Sequence, residues 1–184
     1  MSARWLFTLV GLLALAAGGS LWWLARPPSG LPASATSTPS ITPGALMAAS
    51  FLDSRGSRQA LGQFQGKIVV LNFWATWCAP CREEMPAFDR LQARWASAGV
   101  QFVGLSNEDA AQVERFGRQL AVRYPLWTGG EDVAELSRRL GNRLAVLPHT
   151  VILGPGGEIL DVRVGPYSES ELDARLAGFA RKPA

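Results

Sequence analysis

Two cysteines, Cys78 and Cys81, stand where a buried strand gives way to a helix. The strand is predicted by Lys67–Trp74, a nearly continuous apolar run with β-branched residues. The helix is predicted by apolar residues at helical spacing, namely Met85, Phe88, Leu91 and Trp95. Two intervening residues in a first helical turn place both sulfurs within reach of a disulfide. Any fold of this chain must therefore carry a dithiol at the start of a helix.

The other chemically active residues narrow the choice of function. The chain has 184 residues, two cysteines and one histidine, His149. A structural zinc site takes four ligands, which these three residues do not supply without a carboxylate. A disulfide scaffold needs more cysteine pairs at longer spacing. The cysteines therefore serve each other or a partner protein. The net charge of +3 is spread among interleaved acids and bases, which gives no nucleic-acid footprint.

The motif Trp77–Cys81 (WCAPC) predicts different chemical roles for the two sulfurs. Free N–H groups and the helix macrodipole favour a thiolate at Cys78, so we expect an exposed nucleophile of low pKa. Cys81, deeper in the helix, would resolve a mixed disulfide. Pro80 suits the first turn because its missing N–H would have no intrahelical partner. The alternative, an inert pair that only packs, is disfavoured by the strand, the helix and the absence of other cysteines.

The N-terminal region predicts a membrane anchor within residues 1–26. Trp5–Ala25 contains 21 residues without a charge, and a helix of that length spans roughly 30 Å of hydrocarbon. The competing interpretation is a cleaved signal peptide, since Ala14–Ala16 resembles a small-residue cleavage site. The apolar run continues past that site, which favours the uncleaved anchor. Pro27–Gly44 is rich in Pro, Ser, Thr and Ala and predicts a flexible linker.

The remaining segment, 45–184, predicts one domain in which strands alternate with helices, the pattern of an α/β sheet. The last helix should start at Ser168, which forms a capping box with Glu171. Apolar stripes predict two further helices, through Val113, Phe116 and Leu120 and through Val133, Leu136 and Leu140. Besides Lys67–Trp74, the predicted strands are a hairpin of Ser50–Asp53 with Gln59–Leu61, then Gln101–Leu105, Thr150–Leu153 and Ile159–Val164.

Leu71–Cys81 (LNFWATWCAPC), followed by Arg82–Pro86 (REEMP), closely resembles the TlpA/ResA-like thioredoxin-fold proteins. These are bacterial, membrane-anchored thiol–disulfide oxidoreductases, generally reductases. The resemblance covers nearly all of residues 45–181. It implies an α/β thioredoxin-like fold, with a central mixed sheet flanked by helices, an N-terminal β-hairpin and a central helical insert at Asp109–Leu120. It implies no cofactor beyond the redox-active Cys78–Cys81 disulfide, and no metal.

The resemblance also implies roles for residues outside the dithiol. Pro148, which follows Leu147, matches the proline that thioredoxin folds hold in cis opposite the dithiol, where the preceding backbone pairs with an extended substrate. Glu84 matches a family carboxylate that manages protons near the dithiol; its alternative is an ordinary solvated helix residue. Pro86 matches a helix-kinking proline and is structural.

Two positions depart from thioredoxin itself. Asn72 replaces a buried aspartate that helps to deprotonate the second cysteine; an amide takes no proton, so that role passes to Glu84 or to water. His149 replaces a small or hydroxyl residue after the proline. It either contacts the Cys78 thiolate and lowers its pKa, or it is a bystander whose side chain points away.

The expected function is reduction of specific protein disulfides outside the cytoplasm, with apocytochrome c and metal-site assembly factors as candidate substrates. A membrane thiol electron carrier would recharge the domain, held in the periplasm by an inner-membrane anchor at residues 5–25. The principal alternative is a disulfide oxidase or isomerase. A copper-binding module using Cys78, Cys81 and His149 and a redox-dead binding module are less favoured. The spacing of a peroxidatic site is absent, since Leu71 and Ala75 stand at its proline and threonine positions.

Overall fold

The computed structural model describes residues 41–180, which form five α-helices and seven β-strands. In chain order these elements are α1 (Pro43–Ala48), β1 (Ser50–Leu52), β2 (Arg58–Ala60), β3 (Ile68–Phe73), α2 (Ala79–Trp95), β4 (Val100–Ser106), α3 (Ala110–Gln119), β5 (Leu126–Thr128), α4 (Glu131–Arg139), β6 (His149–Leu153), β7 (Ile159–Val164) and α5 (Glu169–Ala180). Short 3₁₀ turns follow β2 and α2. The predicted hairpin and the helix around Asp109–Leu120 are both present.

All seven strands join in one mixed sheet, in the order β2-β1-β5-β4-β3-β6-β7. Strands β3, β4 and β5 are parallel, whereas β6 and β7 add antiparallel pairs at one side and the β1–β2 hairpin at the other. The predicted α/β thioredoxin-like fold is confirmed. Strand β5 was not predicted. It has three residues, too few to show a period, and it forms because β4 and β1 offer it partners.

Successive side chains of β3 point to opposite sides of the sheet, and all of them are buried because both sides are covered. Val70 and Ile152 face α2, whose Met85, Phe88 and Leu91 pack on that side with residues of α5. We call this side the α2 face. Val69, Leu71 and Phe73 point to the other side, which is covered by Leu136 of α4, by Leu140 just after that helix, and by α1. We call it the α4 face. Each face therefore has its own apolar core.

The folded domain begins earlier than the sequence predicted. Helix α1 starts at Pro43, inside the predicted linker, and the Thr42 side chain accepts the backbone N–H of Ala45. A threonine cap followed by proline is a helix start signal, and it outweighs the polar composition here. Leu46 and Met47 are buried against the sheet, so the boundary at residue 44 is wrong by a few positions.

The predicted anchor at residues 5–25 and the linker up to residue 40 lie outside the described residues. Within residues 41–180, no helix is long and apolar enough to cross a membrane.

At the C-terminal end of the domain the predicted capping box is present. Ser168 Oγ accepts the N–H of Glu171, and the Glu171 carboxylate accepts the N–H of Ser168.

Candidate functional site

The dithiol lies where the end of β3 meets the start of α2. Cys78 is the N-cap of α2, and its Sγ accepts the backbone N–H of Cys81 at 3.3 Å. The two cysteines form a disulfide, with their Cα atoms 5.3 Å apart. Pro80 lies in the first helical turn, as predicted. This arrangement places the Cys78 sulfur among the free N–H groups of a helix N-terminus, where negative charge is stabilised.

The two sulfurs differ in accessibility, though less than predicted. Cys78 is 5% exposed and Cys81 is fully buried. The expectation of an exposed Cys78 is therefore wrong for the oxidised protein, because this residue packs in the apolar core of the α2 face with Trp74 and Ala75. The preceding residue, Trp77, is 71% exposed and marks the open side of the site.

Glu84 lies one helical turn after Cys81, and its side chain points into the protein. It is 4% exposed, so the alternative of a solvated helix residue is wrong. Its carboxylate accepts Asn72 Nδ2 at 2.8 Å and the backbone N–H of Tyr167 at 3.1 Å. Burial raises the pKa of Glu84 to about 7, against the opposing effect of these two hydrogen bonds. A carboxyl group that titrates near neutral pH is suited to exchange protons with a nearby thiol.

Asn72 orients this carboxylate. The same Nδ2 also lies 3.3 Å from Thr150 Oγ1 on β6, which fixes the amide between two strands and the helix. The position that departs from thioredoxin therefore contacts Glu84 directly.

Leu147 and Pro148 lie on the segment that precedes β6. The Leu147–Pro148 peptide bond is cis, and the Pro148 carbonyl accepts the backbone N–H of Gly165 at 2.8 Å. Leu147 and Trp77, the residue just before Cys78, line an open groove, which we call the Trp77–Leu147 groove. Its wall is largely apolar and includes Phe73, Val133, Ala134 and Ala145.

His149 lies on the α4 face, away from the dithiol. Its register partner on β3 is Phe73, and the two rings stack with centroids 5.0 Å apart. Its Nδ1 pairs with Ser137 Oγ of α4 at 3.0 Å, and burial lowers the pKa of His149 to about 4. The hypothesis that His149 contacts the Cys78 thiolate is therefore wrong. The copper-binding alternative loses its third ligand for the same reason, because the strand separates His149 from both cysteines.

A carboxylate that the sequence did not indicate holds the loop in front of the dithiol. Glu108, just after β4, accepts the backbone N–H of Thr76 at 2.6 Å and its hydroxyl at 2.7 Å. Gln112 of α3 donates to the same carboxylate at 2.7 Å, and Ser106 Oγ lies 3.3 Å from it. Thr76 immediately precedes Trp77, so this cluster ties the central insert to the active-site loop. Thr76 and Glu108 are 32 positions apart in the chain, so no local sequence motif could have indicated this contact.

Residues 33–176, most of the chain, match the sequence pattern of the Redoxin family. The chain belongs to the Redoxin family. Together with the disulfide at the helix N-terminus, this membership makes the chain a thiol–disulfide oxidoreductase of the thioredoxin superfamily.

Individual proteins that are similar to this Redoxin-family chain in sequence or structure include thioredoxin-like and thiol–disulfide exchange proteins. The thioredoxin-like protein YneN of Bacillus subtilis is 32% identical over 125 residues, covering 66% of this chain and 70% of YneN. The thiol-disulfide oxidoreductase ResA of the same organism is 32% identical over 121 residues, covering 64% of either protein. A thiol:disulfide interchange protein of the thioredoxin family from Chlorobium tepidum has a similar crystal structure, with a TM-score of 0.65 and 27% identity, covering 72% of this chain and 92% of that one.

Removing the Glu108 carboxylate should destabilise this Redoxin-family domain. Glu108→Ala leaves the Thr76 N–H and hydroxyl without their acceptor, and Gln112 keeps only its bond to the Thr76 hydroxyl. This should lower the free energy of unfolding by about 2 kcal/mol. Chemical unfolding followed by tryptophan fluorescence measures this loss. The control is Glu114→Ala, which removes a carboxylate paired with the exposed Arg118; this change should cost less than about 1 kcal/mol. Equal losses in the two variants would show that the Glu108 cluster adds nothing.

Proposed function

We propose that this oxidoreductase reduces disulfides of other proteins outside the cytoplasm. The observation that carries the proposal is that Trp77, which immediately precedes the Cys78–Cys81 disulfide, lines the Trp77–Leu147 groove. An open apolar groove lined by the residue before a redox-active cysteine suits an extended segment of a protein, which brings its own disulfide to Cys78. The candidate substrates are apocytochrome c and metal-site assembly factors, as the TlpA/ResA-like resemblance implies.

The reaction transfers two electrons in two exchanges. The Cys78 thiolate attacks one substrate sulfur, which forms a mixed disulfide and releases the other substrate sulfur as a thiolate. The Cys81 thiolate then attacks Cys78, which breaks the mixed disulfide and releases the second substrate thiolate. The substrate gains two electrons, and the domain is left as the Cys78–Cys81 disulfide. Protons from solvent or Glu84 convert the released thiolates to thiols.

The charge near the dithiol supports the reductive direction. Stabilising a thiolate favours the reduced dithiol and makes a protein an oxidant. Glu84 acts in the opposite sense, because its carboxylate, when ionised one turn after Cys81, repels a second negative charge in a buried site. The reduced pair is then less stable and gives up its electrons more readily. This argument favours a reductase over the alternative oxidase or isomerase.

The location follows from the N-terminal sequence and the resemblance. We infer that residues 5–25 anchor the chain in the bacterial inner membrane, and that the polar residues after them tether the domain in the periplasm. A tether keeps the domain at high effective concentration near membrane partners. One such partner would be a thiol electron carrier that supplies two electrons to the Cys78–Cys81 disulfide after each turnover.

The reduction potential of the Cys78–Cys81 pair tests the proposed direction. The full-length chain in detergent is equilibrated with glutathione and dithiothreitol buffers, and its thiols are trapped and counted by mass. We expect a value close to that of thioredoxin, roughly −270 mV. A value near roughly −120 mV would contradict the reductase and favour the oxidase. Failure to form an internal disulfide in any buffer would contradict the dithiol mechanism itself.

A further inference from the structure

A buried asparagine holds the loop that leads into the cis proline. Asn142 is 2% exposed, and its carboxamide pairs with both backbone groups of Val146. Nδ2 donates to the Val146 carbonyl at 2.8 Å, and Oδ1 accepts the Val146 N–H at 3.0 Å. The side chain thus replaces the pairing that a neighbouring strand would give Val146. In the segment between α4 and β6, this one side-chain amide therefore satisfies both backbone hydrogen-bonding groups of Val146.

The same amide connects the loop to the α4 face. Asn142 Nδ2 lies 3.0 Å from Ser137 Oγ, and that hydroxyl pairs with His149 Nδ1 at the start of β6. Asn142, Ser137 and His149 are all buried, so their hydrogen bonds lie out of competition with water. The network joins α4, the loop and β6 across the Leu147–Pro148 segment.

The loop conformation needs this support. Ala145 has a φ of 52°, in the left-handed region that a residue with a Cβ rarely adopts. Such a conformation persists where surrounding contacts over-determine it. Asn142 supplies such contacts on both sides of the Ala145–Val146 peptide. Its backbone carbonyl accepts the Ala145 N–H at 3.0 Å, and its side chain pairs with Val146.

We propose that Asn142 is a positioning residue, which fixes the backbone around Leu147 to receive a protein disulfide in the Trp77–Leu147 groove. Leu147 stands between two held neighbours: Val146, paired with Asn142, and Pro148, whose carbonyl is paired with Gly165. An extended substrate gains from a backbone that is already fixed, because ordering it on binding would cost conformational entropy. A small disulfide needs only the dithiol. The proposal rests on the proposed function of protein-disulfide reduction.

The test compares two disulfides in single-turnover reduction by the reduced full-length chain in detergent. One is a synthetic peptide with an internal Cys-x-x-Cys disulfide and a fluorescent reporter, and the other is hydroxyethyl disulfide. In Asn142→Ala we expect the rate constant for the peptide to fall roughly 10- to 100-fold, since misplaced binding groups have effects of that size. The rate with hydroxyethyl disulfide and the reduction potential should stay unchanged.

Two further variants keep the result interpretable. Gln63→Ala is the matched control, since Gln63 also donates to a backbone carbonyl, that of Ala60, but in the turn after β2; it should leave both rates unchanged. Asn142→Asp keeps an acceptor for the Val146 N–H and loses the donor to its carbonyl, so its peptide rate should fall between those of wild type and Asn142→Ala. This variant also carries the test if Asn142→Ala does not fold.

Two outcomes would overturn the proposal, and they differ from each other. In the first, both Asn142 variants slow reduction of the peptide and of hydroxyethyl disulfide by the same factor, or slow neither reaction. Asn142 then does not act through the substrate loop. If the wild-type chain reduces hydroxyethyl disulfide but not the peptide, the proposed function itself fails and the positioning role fails with it.

Discussion

Replacing Cys81 by serine is expected to stop turnover and leave the substrate bound to Cys78 through a stable mixed disulfide. Cys78 caps α2 and retains its sulfur in this variant, so the first exchange proceeds. The second exchange needs a thiolate at position 81, and serine does not supply one under these conditions. The chain has no third cysteine to resolve the intermediate. Non-reducing electrophoresis and mass measurement, after mixing with the peptide disulfide, detect the adduct.

Cys78→Ser is the matched control for this experiment. It keeps Cys81, which is fully buried in the α2-face core, so no adduct should form at a comparable rate. Adduct formation by Cys78→Ser as fast as by Cys81→Ser would reverse the assigned roles. Steady turnover by Cys81→Ser without an added thiol would contradict the two-step exchange.

Replacing Glu84 by glutamine is expected to remove the pH dependence of disulfide reduction near pH 7. Burial raises the pKa of this carboxyl to about 7, so it changes charge in the range where the thiols exchange protons. Loss of a positioned acid or base costs roughly 10²-fold in rate. The measurement is the single-turnover rate with the peptide disulfide from pH 5 to pH 9. Asp89→Asn, on the same helix and paired with the exposed Arg123, is the control and should keep the wild-type profile.

Protein stability gives an independent check on the same carboxyl. Its folded-state pKa of about 7 lies above the ordinary value of 4.5, so the folded protein favours the protonated form. The resulting stability is present below pH 4.5 and is lost as the pH rises through 7. Relative to Glu84→Gln, the wild type should lose about 3 kcal/mol of unfolding free energy over that range. A constant difference between the two proteins would show that Glu84 does not titrate there.

Local patterns were enough to predict most of the elements and the dithiol, although they missed α1 and β5. A buried strand, a helical stripe and two cysteines between them all fall within Lys67–Trp95, where side-chain period and spacing directly report the backbone. The same holds for the capping box at Ser168 and for the β1–β2 hairpin, whose signals lie within a few residues. Resemblance to the TlpA/ResA-like proteins then added Pro148 and Glu84, which no periodicity would have singled out.

The sequence by itself therefore determined the fold class, most of the elements in their order, and the chemistry of Cys78 and Cys81. Only the tertiary structure decided which sheet face each polar side chain meets. It placed His149 on the α4 face and Glu84 on the α2 face, and it brought Glu108 to Thr76. These contacts depend on strand register and helix docking, which join residues distant in the chain. A pattern within one segment carries no information about its eventual partner in another, so such contacts are fixed only when the core packs.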